Sequence, residues 1–180
     1  MKKFELTSET KINIFGKKLF RIKALISFAD VEAGETGGWV EKEGNVNQSG
    51  NAWVYGDAMV YGNAKVSGDA KVSGNAMVYG DAMVSGDAKV SGDAEVSGNA
   101  KVYGDAMVYG NADYTTIHGF GTQFRTTTFF RCKDKKVRVA CGCFFGTIPE
   151  FREQVKNTRK GKIAEEYLMI ADLMENHFEK

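Results

Sequence analysis

The sequence predicts a mainly β fold, a parallel β-helix closed by a small β cap at its N-terminus and an α+β segment at its C-terminus. Three observations lead there. Between Gly50 and Thr115, eleven consecutive six-residue units repeat Gly, Asp/Asn, Ala, any residue, Val, Tyr/Ser, with Tyr114 in the valine place of the last. That period is too short to hold a helix and fits a solenoid of short strands and corners. Before the repeat, residues 2–6, 11–15 and 18–26 read as short strands, and after Thr115 the composition turns aromatic and basic, so each end of the regular body carries a different segment. The domain boundaries follow as 1–37, 38–115 and 116–180.

In the N-terminal cap, Gly16-Lys17 between Ile14-Phe15 and Leu19-Phe20 looks like a hairpin turn. A solenoid end exposes unpaired strand edges and apolar interior, and a cap of this kind covers them. Gly38 and Gly44 stand in phase with the repeat, which puts Val40 and Val46 in the inward alanine slot of two degenerate units and leaves Trp39 to seal the first coil.

Each repeat unit reads as one strand and one corner. Side chains alternate between faces along a strand, so Ala58 and Val60 point inward while Met59 and Tyr61 point outward. Gly-Asp or Gly-Asn supplies the backbone freedom and local hydrogen bonding of a tight corner. An aliphatic residue followed four places on by a small one, from Val54 with Ala58 to Val108 with Ala112, resembles the hexapeptide-repeat proteins. That resemblance implies a left-handed parallel β-helix with three units per coil. The stretch from Phe28 to Glu41 is similar to a bacterial and phage-borne subgroup of the family, often described as transferases or polymer-forming proteins.

With three units per coil, residues eighteen apart stack at about 4.8 Å. Met59 and Tyr61 then lie on Met77 and Tyr79, making the most apolar outward surface, which the sequence assigns to subunit contact in a homotrimer. The Asp69, Asp87 and Asp105 column reads as a corner preference and not as a metal site.

After the repeat, Gln123 to Arg131 and Lys136 to Phe145 read as two strands about Asp134-Lys135. A two-residue turn there places Arg125, Phe129, Arg131, Arg138 and Phe144 on one face. Thr147-Ile-Pro-Glu150 is a capping box with proline in the first turn, opening a helix to about Lys160, and a second amphipathic helix runs from Lys162 to about Phe178.

The net charge is +1, unevenly spread: residues 116–180 hold twelve basic and eight acidic side chains. No apolar run approaches the ~18 residues of a membrane span, and the opening Met1-Lys2-Lys3-Phe4-Glu5 turns polar too early for a signal peptide. Three cysteines, an odd number, argue against a disulfide framework, and the expected location is cytoplasmic.

For chemistry, the resemblance to hexapeptide-repeat acyltransferases points to His118 as a candidate general base with acetyl-CoA as the cosubstrate; His177 is the only other histidine. No loop interrupts the repeat to wall in such a substrate. Cys132, Cys141 and Cys143 lack the paired knuckles of zinc sites and read as packing residues. Arg125, Arg131, Lys133, Lys136 and Arg138, interleaved with Phe129 and Phe144, read as a binding surface for an anionic nucleotide or an acidic host protein. The sequence therefore favours a non-catalytic oligomeric binding or scaffold protein, phage- or prophage-encoded and directed at a host protein or nucleotide signal, needing no cofactor or metal. An acyltransferase and a structural spacer are the alternatives.

Overall fold

A computed structural model describes residues 2–179. β1 (Phe4–Ile12) and β2 (Lys18–Ala24) form an antiparallel hairpin, and β3 (Thr36–Val40) carries it onto the solenoid. Of residues 2–6 and 11–15, expected as separate strands, 4–6 and 11–12 belong to the single strand β1, which bulges between Leu6 and Thr10, and 13–15 fall in the turn. The turn spans Asn13 to Lys17 and is longer than two residues, because the Asn13 carboxamide accepts from the N–H groups of Phe15 and Lys17.

The solenoid has three faces of two-residue parallel strands. One runs from β3 through β5 (Met59–Val60), β8 (Met77–Val78) and β11 (Glu95–Val96). The second stacks β4 (Trp53–Val54), β7 (Lys71–Val72), β10 (Lys89–Val90) and β13 (Met107–Val108), and the third β6 (Lys65–Val66), β9 (Met83–Val84) and β12 (Lys101–Val102). Met59 pairs with Met77 and Trp53 with Lys71, the expected eighteen-residue register. From Trp53 to Lys89 the residue at each outward position donates its N–H one coil on, as Trp53 does to the Ala70 carbonyl at 3.0 Å. The inward alanines from Ala52 to Ala106 and valines from Val54 to Val108 are fully buried, so the repeat's two small residues fill the interior.

Both ends depart from the repeat. Val40 pairs with Val60 and Val46 bridges Val66, so they occupy the valine column and not the alanine column. The two-residue offset is absorbed near Gln48, whose carboxamide accepts from the N–H groups of Lys3 and Phe4 and donates to the Phe4 carbonyl. At the other end Ala112 is exposed, because Asn111–Asp113 turns out of the solenoid as a short 3-10 helix.

The N-terminal seal is Trp53, fully buried with the rings of Phe4 and Phe28 edge-on to it at 5.9 and 5.4 Å. Trp39 instead faces outward, beside Leu19 and Tyr61. The Lys3 ammonium donates to the carbonyls of Ala52 at 2.8 Å and Gly50 at 3.2 Å. Met59, Tyr61, Met77 and Tyr79, assigned from sequence to subunit contact, lie beside the chain's own hairpin: Tyr61 is only 5% exposed, with Leu19 and Trp39 packed on it.

β14 (Tyr114–Phe120), β15 (Arg125–Arg131), β16 (Val137–Cys141) and β17 (Phe144–Thr147) make an antiparallel sheet in that order, followed by α1 (Ile148–Thr158) and α2 (Gly161–Phe178). Phe130, Cys132 and Ala140 on one face plug the open end of the solenoid. Phe129 and Val139 on the other face pack beneath Phe151, Tyr167 and Ile170 of the helices. Thr147 caps α1 as expected, accepting from the Glu150 N–H while Glu150 accepts from the Thr147 N–H. Among the described residues no helix is long and apolar enough to cross a membrane.

Candidate functional site

Strand register decides which basic side chains meet. The β15–β16 turn holds three residues, Lys133 to Lys135, with Cys132 N–H bonded to the Lys136 carbonyl and Lys135 at φ 64. This is a type I turn closed by a left-handed residue, one residue longer than the turn expected from Asp134-Lys135. The extra residue shifts the register, so Arg138 faces Phe130 and Arg131 faces Val137. Arg131 and Arg138 therefore emerge on opposite sides of the sheet, a correction to the single basic face read from sequence.

Both arginines are engaged within the fold. Arg131 donates to the Phe178 carbonyl at 2.8 Å, lies 5.3 Å from the Phe178 ring and approaches Asp113 at 3.5 Å. Arg138 pairs with Asp134 at 2.7 Å and holds that carboxyl below its usual range. Phe129 and Phe144 pack on Phe151 at 6.2 and 5.4 Å, so neither ring is free to stack on a ligand. Lys133 and Lys136 are exposed at the turn, at the opposite end of β15 from Arg125.

At the Arg125 end a groove of about 460 Å³ opens between the sheet and the last rung of the third solenoid face. Lys101 forms its solenoid wall, and that rung is tied to the sheet by its N–H donating to the Thr128 hydroxyl at 3.0 Å. β14 brings in His118, whose Nδ1 lies 3.2 Å from the Thr126 hydroxyl across the strand pair. The β14–β15 turn ends on Phe124, at φ 46 and 66% exposed.

Arg125 reaches the groove across the β16–β17 turn. That turn was missed in the expected strand from Lys136 to Phe145; it consists of Gly142 and Cys143, with Cys141 paired to Phe144. Gly142 has φ 62, and a Cβ there would lie 2.5 Å from Arg125 Nη1, so the glycine both makes the turn and admits the guanidinium. Arg125 also donates to the Gln123 carboxamide at 2.9 Å. Lys101, His118 and Arg125 thus line one groove, with no carboxylate among its lining residues. Through Arg125 and Cys143 it adjoins a smaller cleft of about 180 Å³ that includes Arg159 and Tyr167.

Of the sequence-assigned residues, only His118 and Arg125 meet here. Asn99, Lys101, Phe124, Thr126 and Gly142 also line the groove and were missed, and Cys143, expected as a packing residue, is exposed on its wall. The β-branched run Tyr114-Thr-Thr-Ile117 was the available signal for β14, which would have carried His118 back beside the Lys101 rung. Cys132 is buried and its thiol pushed up to about 12 by that burial, as befits a packing residue. No group of three His, Cys, Asp or Glu side chains suited to a metal occurs among the described residues.

The family described as YdcK beta solenoid repeat matches residues 52–68 and 70–86. Each stretch runs from an alanine of the inward column to a corner glycine, so the likeness is to the coils. It includes no residue of the groove. Comparison of the chain with curated proteins finds no match.

Proposed function

We propose that this protein is a non-catalytic binding scaffold: the solenoid is a stem, and the C-terminal cap takes a phosphate-bearing ligand, a nucleotide first of all, in the groove between Lys101 and Arg125. The observation that supports it is the convergence of Lys101, His118 and Arg125 without a lining carboxylate, beside the exposed Phe124 ring. A guanidinium pairs with phosphate through parallel N–H donors, an ammonium adds a mobile point charge, and an exposed ring offers a stacking surface. His118 is less suited to act as a general base, since its contact is the Thr126 hydroxyl and no lining carboxylate orients the ring.

The test is isothermal titration calorimetry with ATP, AMP and inorganic phosphate at low and high salt. Binding should weaken as salt rises, and Lys101→Gln with Arg125→Gln should abolish it while circular dichroism stays unchanged. Equal binding by wild type and the double variant, or none of the three binding to wild type, overturns the proposal.

A further inference from the structure

β14 is the outer strand of the C-terminal sheet, and its free edge is open. Among the described residues, Tyr114 to Ile117 pair with β15 alone, and of the strand's backbone groups only the Phe120 carbonyl bonds to another element, through the Tyr167 hydroxyl. A row of unpaired N–H and C=O groups is a template for another strand, and proteins guard such rows with charge, proline or bulges. The other long edge of this molecule is guarded in that way: β1 carries Glu5, Glu9 and Lys11 and bulges at mid-length. β14 reads Tyr-Thr-Thr-Ile-His-Gly-Phe, with no Lys, Arg, Asp, Glu or proline, and although its register shifts between Ile117 and Phe120, it pairs regularly over the four residues Tyr114 to Ile117.

We propose that this edge pairs antiparallel with the β14 of a second copy of the chain, about a two-fold axis at Thr116, so that one sheet runs through both copies. The polarity of the edge argues for a copy over an unrelated strand. The Tyr114 hydroxyl donates to the Glu95 carbonyl, and Glu95 lines a groove of about 290 Å³ running beside Tyr114, Thr115 and Thr116. The far end of the strand carries His118 and opens onto the cationic groove. A two-fold axis at Thr116 sets Tyr114 opposite the second copy's His118 and brings the carboxylate end of each copy to the cationic end of the other. Register and charge are thus satisfied twice by one arrangement.

This rests on the strand edge and holds whether or not the groove takes a nucleotide. Sedimentation equilibrium of the full chain at high micromolar concentration should give twice the chain mass. Thr116 is exposed, so Thr116→Lys leaves the core untouched while placing two ammonium groups face to face at the axis, and its mass should fall to that of a single chain. Thr116→Val should remain a dimer. Hydrogen exchange of wild type provides a readout independent of any variant: the amides of residues 114–118 should gain protection with concentration. A wild type that sediments as one chain or as a trimer, a folded Thr116→Lys that dimerises like wild type, or exchange at β14 independent of concentration each overturns the proposal.

Discussion

Tyr61 and Tyr79 lie one coil apart with their rings stacked, centroids 5.1 Å apart and planes within 1° of parallel, and the Phe15 ring at the hairpin tip approaches both at 6.3 and 6.1 Å. The hairpin is thereby fastened to the outside of the solenoid. Tyr61→Ala removes the buried member of the stack and should cost about 3 kcal/mol. Urea unfolding monitored by tryptophan fluorescence, which reports on Trp39 and Trp53, measures this. An unchanged midpoint would show that the hairpin draws no stability from the stack.

Two corner glycines separate backbone strain from crowding. Gly56 has φ 56 with nothing within 4 Å of where an alanine methyl would stand, whereas at Gly68, φ 67, that methyl would sit 2.9 Å from the Gly86 nitrogen. Gly56→Ala should cost about 1 kcal/mol and Gly68→Ala about 3 kcal/mol, the excess coming from backbone that cannot yield. Thermal unfolding of the pair tests the order, and equal costs would place the whole penalty in φ.

Arg131 belongs to the fold and not to the ligand groove. Arg131→Gln weakens its contacts with Phe178 and Asp113 and should lower stability by about 2 kcal/mol, leaving nucleotide titrations unchanged. A variant of wild-type stability that loses ligand would return Arg131 to the binding surface.

Burial pushes the Lys3 ammonium down from 10.5 to about 8. The unfolded chain therefore holds more protons than the folded one between those values, and stability rises as pH climbs from 8 to 10.5. Lys3→Met should flatten that rise, as read from unfolding midpoints across the window. A wild-type midpoint that falls there as the ammonium is lost would mean that its bonds to Gly50 and Ala52 outweigh the burial.

The coils were legible because each side chain of the repeat answers to one local rule: alanine and valine are small enough for the interior, and glycine suits the corner. The capping box at Thr147 was legible for the same reason. The basic cluster was not. Whether Arg131 and Arg138 share a face depends on one residue in the turn, and Lys135 adopts a left-handed conformation that its residue type does not announce. Likewise Tyr61 looked like an exposed apolar residue because the repeat says nothing of Phe15 and Leu19, which reach it from more than forty positions away.

The constant eighteen-residue register has a corollary for molecular length. Because Met59, Met77 and Glu95 pair in sequence along one face, inserting or deleting one whole coil returns the chain to the same face and the same phase. The separation of the two end pieces would change by about 4.8 Å for each coil. The solenoid is in this sense a graduated rod, on which hairpin and groove can be set at chosen distances by editing in units of eighteen residues.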